Sequence, residues 1–80
     1  GRLTSVDVTM ERVISELRQR VTRAPSSPLE VRVHPRVAEA LTESASELFT
    51  GLEARHGIAI RLMAQADRHL EDVEIWSESG

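Results

Sequence analysis

The chain has 80 residues, 40% of them apolar, so it has room for one hydrophobic core and one domain. It carries 13 acidic residues, 10 basic residues and no cysteine, which excludes disulfides, thiolate metal ligands and a general attraction for phosphate backbones. No apolar run reaches the roughly 18 residues of a membrane span and no signal peptide is evident, so we expect a cytoplasmic domain without a membrane partner.

The first predicted element is an amphipathic helix over residues 5–22. Thr4 and Asp7 have the spacing of an N-terminal capping pair. The apolar residues that follow recur at steps of three and four, which places them on one stripe of the helix. They are Val6, Met10, Val13, Ile14, Leu17 and Val21. The proline-rich stretch 24–28 ends the helix and is predicted to be a linker.

A strand over residues 29–33 comes next, because apolar and polar residues alternate there. His34-Pro35 closes the strand and opens a helical region over residues 35–56, which stops at Gly57. The polar stretch 42–44 interrupts the apolar stripe, and Ser44 with Glu47 has the spacing of a second capping box. This pattern predicts a break into two shorter helices.

Two further strands are predicted over residues 58–63 and 70–76, joined by a hairpin loop at 65–69. The order α-β-α(α)-β-β favours an α/β (α+β) two-layer sandwich with a three-stranded mixed sheet. The first two strands would be parallel neighbours and the third antiparallel to the second. The helices would cover one face, and the open face would carry Glu30, Arg32, Arg61, Met63, Glu74 and Trp76.

Three segments share their order and spacing with a known family. They are Val31-Arg32-Val33-His34-Pro35-Arg36-Val37-Ala38-Glu39-Ala40-Leu41, Leu52-Glu53-Ala54-Arg55-His56-Gly57-Ile58-Ala59-Ile60-Arg61-Leu62 and His69-Leu70-Glu71-Asp72-Val73-Glu74-Ile75. Together they resemble the C-terminal small domain of the ribonuclease E/G family. Gly1-Arg2-Leu3 is similar to the residues that follow the family's zinc link, so we expect a longer parent chain.

The resemblance implies a bacterial, cytoplasmic parent that processes RNA as a single-strand-specific endoribonuclease. In the family the catalytic carboxylates lie in an upstream nuclease domain, and the zinc-binding cysteines lie just before the small domain. The magnesium and zinc therefore belong to the parent, and we expect no catalytic residue, metal site or cofactor in this chain. The expected partners are the rest of the parent chain and its other subunits, with RNA as a further candidate.

The candidate RNA-binding residues are Arg12, Arg18, Arg20, Arg23, Arg32 and Arg36. Every basic residue is arginine, which fits bidentate phosphate contacts and fits a GC-rich genome equally well. Glutamates are interleaved and no aromatic side chain stands among these arginines to stack on bases. An ordinary solvated face of mixed charge is therefore the alternative interpretation.

The candidate interface residues are Trp76, Met63 and Arg61, because an exposed tryptophan on an open sheet face suggests docking. The three histidines fit no metal-ligand spacing. We expect His34 to shape the strand-to-helix turn, His56 to cap a helix end and His69 to lie in a solvated loop. The acidic residues near the C-terminus, Glu71, Asp72, Glu74 and Glu78, are expected to form a solvated edge.

Two functions from different classes remain open at this point. The first is a non-catalytic small domain that aids subunit assembly in a ribonuclease E/G-like enzyme. The second is a free-standing RNA-binding module of the KH-like or split βαβ kind, although residues 42–45 occupy the place of the Gly-x-x-Gly loop without a glycine. An independent enzyme has no constellation of residues to support it.

Overall fold

The computed structural model describes residues 4–23 and 28–77. In chain order the elements are helix α1 (Ser5–Arg23), strand β1 (Leu29–Val33), helix α2 (Pro35–His56), strand β2 (Ile60–Ala64) and strand β3 (Glu74–Ser77). The predicted α+β fold is confirmed. The segment 1–3 and the predicted linker, except for Pro28, lie outside the described residues.

Helix α1 begins at Ser5 because Thr4 and Asp7 satisfy its first amide groups. The Thr4 amide donates to the Asp7 carboxylate (3.2 Å), and the Asp7 amide donates back to the Thr4 hydroxyl (3.1 Å). Thr9 lies on the buried stripe, where its hydroxyl donates to the Ser5 carbonyl oxygen (2.7 Å). The predicted capping pair is confirmed, and the one buried polar side chain of the described core is hydrogen-bonded.

Helix α2 is continuous, so the predicted break at residues 42–44 is wrong. Those residues lie on the solvent side of the helix, where the Thr42 hydroxyl donates to the Ala38 carbonyl oxygen (2.9 Å). The apolar stripe passes from Leu41 to Ala45, both buried, without interruption. Polar residues on an exposed face therefore do not end a helix whose core-facing stripe continues.

The ends of α2 are set by local chemistry. At the start, the Nδ1 atom of His34 accepts a hydrogen bond from the Arg36 amide (3.1 Å), and Pro35 needs no amide partner. At the end, Gly57 adopts a left-handed conformation with φ of 65°, and its amide donates to the Glu53 carbonyl oxygen (2.8 Å). His34 thus shapes the strand-to-helix turn as predicted.

The sheet has the order β2-β1-β3, with β1 parallel to β2 and antiparallel to β3. The parallel pair is confirmed, whereas the predicted hairpin between β2 and β3 is wrong. β3 pairs with β1 instead of β2. The three apolar side chains of β1 are all buried, and Ile75 of β3 lies opposite Val31 of β1 on the core face. The segment 65–73 therefore carries the chain across the end of β1.

Both later strands begin after their predicted first residues. The Ile60 amide donates to the Glu53 carboxylate (2.8 Å), which ties the start of β2 to the last turn of α2. Residues 65–73 form a turn-rich loop instead of a strand. Nη2 of Arg68 donates to the Gln65 side-chain oxygen at the start of this loop and to the Glu74 carboxylate just after it (2.6 Å each). This bridging arginine explains why β3 begins at Glu74.

The core lies between the two helices and one face of the sheet. The first turns of both helices line one depression and their last turns line another, so α1 and α2 run in the same direction. The buried apolar residues come from every element: Val13, Leu17, Val21, Leu29, Val31, Val33, Val37, Leu41, Ala45, Leu52, Ile58 and Ile75. The opposite face of the sheet has no layer over it among the described residues.

Candidate functional site: the open sheet face and the helix ends

The open sheet face carries the six side chains predicted for it, arranged in two rows across the strands. Glu30 of β1 lies between Arg61 of β2 and Trp76 of β3. Arg32 lies between Met63 and Glu74 in the next row. Trp76 is 49% exposed and Met63 is 43% exposed. The two large apolar side chains of this face are therefore available to a partner.

Trp76 is held in place by its neighbours on the open sheet face. The guanidinium of Arg32 lies 4.5 Å from the centre of the indole ring, in cation–π geometry. Arg32 also forms an ion pair with the Glu30 carboxylate (2.5 Å). Trp76 also contributes to lowering the pKa of the neighbouring Glu74 carboxylate on the same strand. An aromatic side chain fixed this way loses little conformational freedom when a partner covers it.

Glu74 connects the open sheet face to the loop before β3. Arg68 donates to the Glu74 carboxylate (2.6 Å) and pairs with Asp72 (3.1 Å), and its side chain is only 12% exposed. The hydrogen bond from Arg68 is the main cause that lowers the pKa of Glu74, and the same bond raises the pKa of Arg68. Glu74 is therefore held ionised, and the loop is fixed against the strand.

One charge on the open sheet face is left without a counter-charge. Glu30 pairs with Arg32 and Glu74 pairs with Arg68, whereas Arg61 forms no ion pair with any described residue. Arg61 and Trp76 line opposite sides of a depression of about 250 Å³. The face thus offers a partner one anchored aromatic ring, one methionine and one free guanidinium.

The structure does not bring the six predicted RNA-binding arginines onto one surface. Arg32 lies on the open sheet face, on the other side of the sheet from both helices. Arg12 donates to the Glu71 carbonyl oxygen (3.0 Å), and Arg36 lies at the start of α2. The remaining three, Arg18, Arg20 and Arg23, lie together near the end of α1.

A groove at the ends of the two helices adds two basic residues that were not among the sequence-predicted candidates. We call it the helix-end groove; it has a volume of about 600 Å³, and its polar lining includes Arg18, Glu47, Arg55 and His56. Basic residues in the last turn of both helices were visible in the sequence. Their meeting depends on the parallel course of α1 and α2, which the sequence pattern did not reveal.

The described residues offer no donor set for the zinc or magnesium of the family that the sequence resembles. The chain has no cysteine, and no three histidine or acidic side chains in the described segments come together as a metal site. His69 lies exposed in the loop before β3, as predicted, and His56 is the last residue of α2. Neither helix in the part of the chain that is described has the apolar length that a bilayer requires.

Comparison with protein-family models, with curated proteins and with solved structures finds no match for this chain.

Proposed function

We propose that this chain is a non-catalytic small domain of a ribonuclease E/G-like endoribonuclease that takes part in RNA processing in the bacterial cytoplasm. Its role is to aid subunit assembly, and its partners are the rest of the parent chain and the other subunits. Cleavage, with its magnesium, belongs to the parent's nuclease domain. The support from sequence is the resemblance of three ordered segments between Val31 and Ile75.

The observation that carries the assembly role is the anchored Trp76 on the open sheet face. Tryptophan, arginine and methionine are enriched in the cores of protein interfaces, and tryptophan and arginine dominate binding hot spots. Here Trp76 and Met63 are exposed together, with Arg32 stacked on the indole. A ring already held by Arg32 favours docking of another folded surface.

The test is sedimentation velocity of the chain over a concentration series. We expect reversible self-association that weakens about thirtyfold or more in Trp76→Ala, since removing a central aromatic anchor typically costs about 2 kcal/mol or more. Met63→Ser should act in the same direction. Val8→Ser is the matched control, because Val8 is 52% exposed on α1, away from the open sheet face.

Two results would contradict the assembly role. One is a chain that stays monomeric at every concentration up to about 1 mM, because the dissociation constant would then exceed the range of specific protein association. The other is an equal loss of association in Val8→Ser and Trp76→Ala, because that would remove the open sheet face as the cause. Circular dichroism of each variant confirms that it is folded.

A KH-like RNA-binding module is the less favoured alternative. In that class a loop between two helices brings the backbone close to phosphate. The corresponding residues 42–45 lie inside the continuous helix α2, so their backbone amides are engaged within the helix.

A further inference from the structure

We propose that the helix-end groove binds the phosphate backbone of single-stranded RNA through Arg18, Arg55 and His56. This site lies on the helical side of the domain, away from the open sheet face. The chemistry of the groove selects an anion, and the choice of RNA as that anion rests on the proposed function. The two proposals use different surfaces, so separate variants test them.

The three basic side chains have no counter-charge among the described residues. Arg18, Arg55 and His56 form no ion pair and no side-chain hydrogen bond with any described residue. Glu47 is the one acidic side chain among the described residues that line the groove. The groove's volume of about 600 Å³ lies within the range of small-molecule sites, roughly 300–1,000 Å³. The groove therefore has both the space and the unbalanced positive charge for a phosphate-bearing ligand.

The charges of the two helices are segregated along their common direction. The depression at the helix starts is lined by Arg36 together with Glu39 and Glu43, and Asp7 lies in the first turn of α1. The opposite end carries Arg20 and Arg23 in addition to the basic residues of the groove, against the acidic Glu47 and Glu53 of α2. A domain with a net charge of −3 thus has one locally basic end.

A purely structural role for these residues is to complement the negative ends of the helix dipoles, which needs no ligand. That role accounts for basic residues in a last turn. It does not account for Arg18, which precedes the last turn of α1 and lines a groove with residues of α2. The floor of the groove is apolar, because Val21 and Leu52 are buried there. Charged groups of a ligand would therefore contact the three basic side chains.

The experiment is a fluorescence anisotropy titration of a labelled single-stranded RNA, repeated at several salt concentrations. For single strands each phosphate contact contributes about −0.7 to the slope of log K against log salt concentration. We expect a slope of about −1.4 for the unaltered chain from the two guanidinium groups, reduced by about 0.7 in Arg18→Ala and in Arg55→Ala. Glu47→Gln should bind more tightly, because it removes the opposing charge.

Arg36→Ala is the matched control, since it removes the same charge from the other end of α2. Loss of RNA affinity in Arg36→Ala equal to that in Arg18→Ala would overturn the proposal. Inorganic polyphosphate binding as tightly as RNA of equal charge would overturn RNA as the ligand. Abolition of binding by Trp76→Ala would overturn the location, whereas unaltered RNA binding by a Trp76→Ala chain that no longer self-associates supports both proposals separately.

Discussion

Arg32 contacts two other side chains on the open sheet face. It pairs with Glu30 on its own strand and stacks on Trp76 of the neighbouring strand. A cation–π contact at an exposed site contributes about 0.5–1 kcal/mol, and an exposed ion pair about 0.2–1 kcal/mol. Arg32 therefore stabilises the pairing of β3 with β1 from the solvent side.

We expect Arg32→Ala to lower the free energy of unfolding by about 1 kcal/mol. Arg61→Ala is the control, because Arg61 lies on the same face without an ion pair among the described residues, and its effect should stay within about 0.5 kcal/mol. Urea unfolding followed by circular dichroism measures both. Equal values for the two variants would contradict the role given to the Arg32–Trp76 stack.

The Glu74–Arg68 pair makes stability depend on pH. The folded-state pKa of Glu74 is lowered from about 4.5, chiefly by the hydrogen bond from Arg68. The Glu74 carboxylate therefore takes up a proton at a higher pH in the unfolded chain than in the folded chain. The stabilisation by the Glu74–Arg68 pair is complete above the unfolded-state pKa and is lost as the pH falls through the folded-state pKa.

We expect Glu74→Gln to show a shallower loss of stability than the unaltered chain as the pH falls below about 4.5. Glu43→Gln is the control, because Glu43 is exposed on α2 and pairs with no described residue. The measurement is the urea midpoint as a function of pH. Parallel curves for all three proteins would show that Glu74 does not carry this dependence.

At the scale of the elements, two glycines in and after α2 should respond oppositely to the same substitution. Gly51 lies inside the helix with open space where a Cβ would be, so Gly51→Ala should raise stability by about 0.5–1 kcal/mol. Gly57 also has open space, but its φ of 65° is left-handed, so Gly57→Ala should lower stability by about 1–2 kcal/mol. Thermal unfolding of both variants provides the comparison, and a shift of the same sign in both would contradict this account.

Local signals predicted the elements well. Thr4 with Asp7, His34 with Pro35, and Gly57 each act within a few residues, so their effects on helix ends could be read from the sequence. The predicted break at residues 42–44 was wrong because these polar side chains point to solvent. Which side of a helix points to solvent depends on the position of the core. The late starts of β2 and β3 depend on Glu53 and Arg68, whose partners lie six or seven residues along the chain.

At the scale of the molecule, sheet order determines which strand is best protected. β1 is bonded on both sides, whereas β2 has a neighbour on one side only among the described strands. We expect the amide protons of β1 to exchange most slowly, through global unfolding, and those of β2 to exchange faster as a group. Native-state hydrogen exchange by NMR tests this, and slower exchange in β2 would contradict the sheet order.

The open sheet face was predictable because strand alternation alone assigns Glu30, Arg32 and their neighbours to one side. The helix-end groove was not, since it requires Arg18 and Arg55, which are far apart in the chain, to meet through the parallel packing of two helices. The scattering of the six predicted arginines has the same origin. Burial of the apolar residues of all elements in one core determines which elements lie next to each other.

The position of β3 beside β1 also has a consequence for how the chain folds. β1, α2 and β2 form a continuous unit, whereas β3 pairs with a strand more than forty residues earlier. Long loop closures lose more entropy, so the unit of β1, α2 and β2 is expected to assemble before β3 docks. Trp76 is the only tryptophan and lies on β3. In a stopped-flow refolding experiment its fluorescence would therefore follow the final step, while the far-ultraviolet ellipticity follows the helices that precede it.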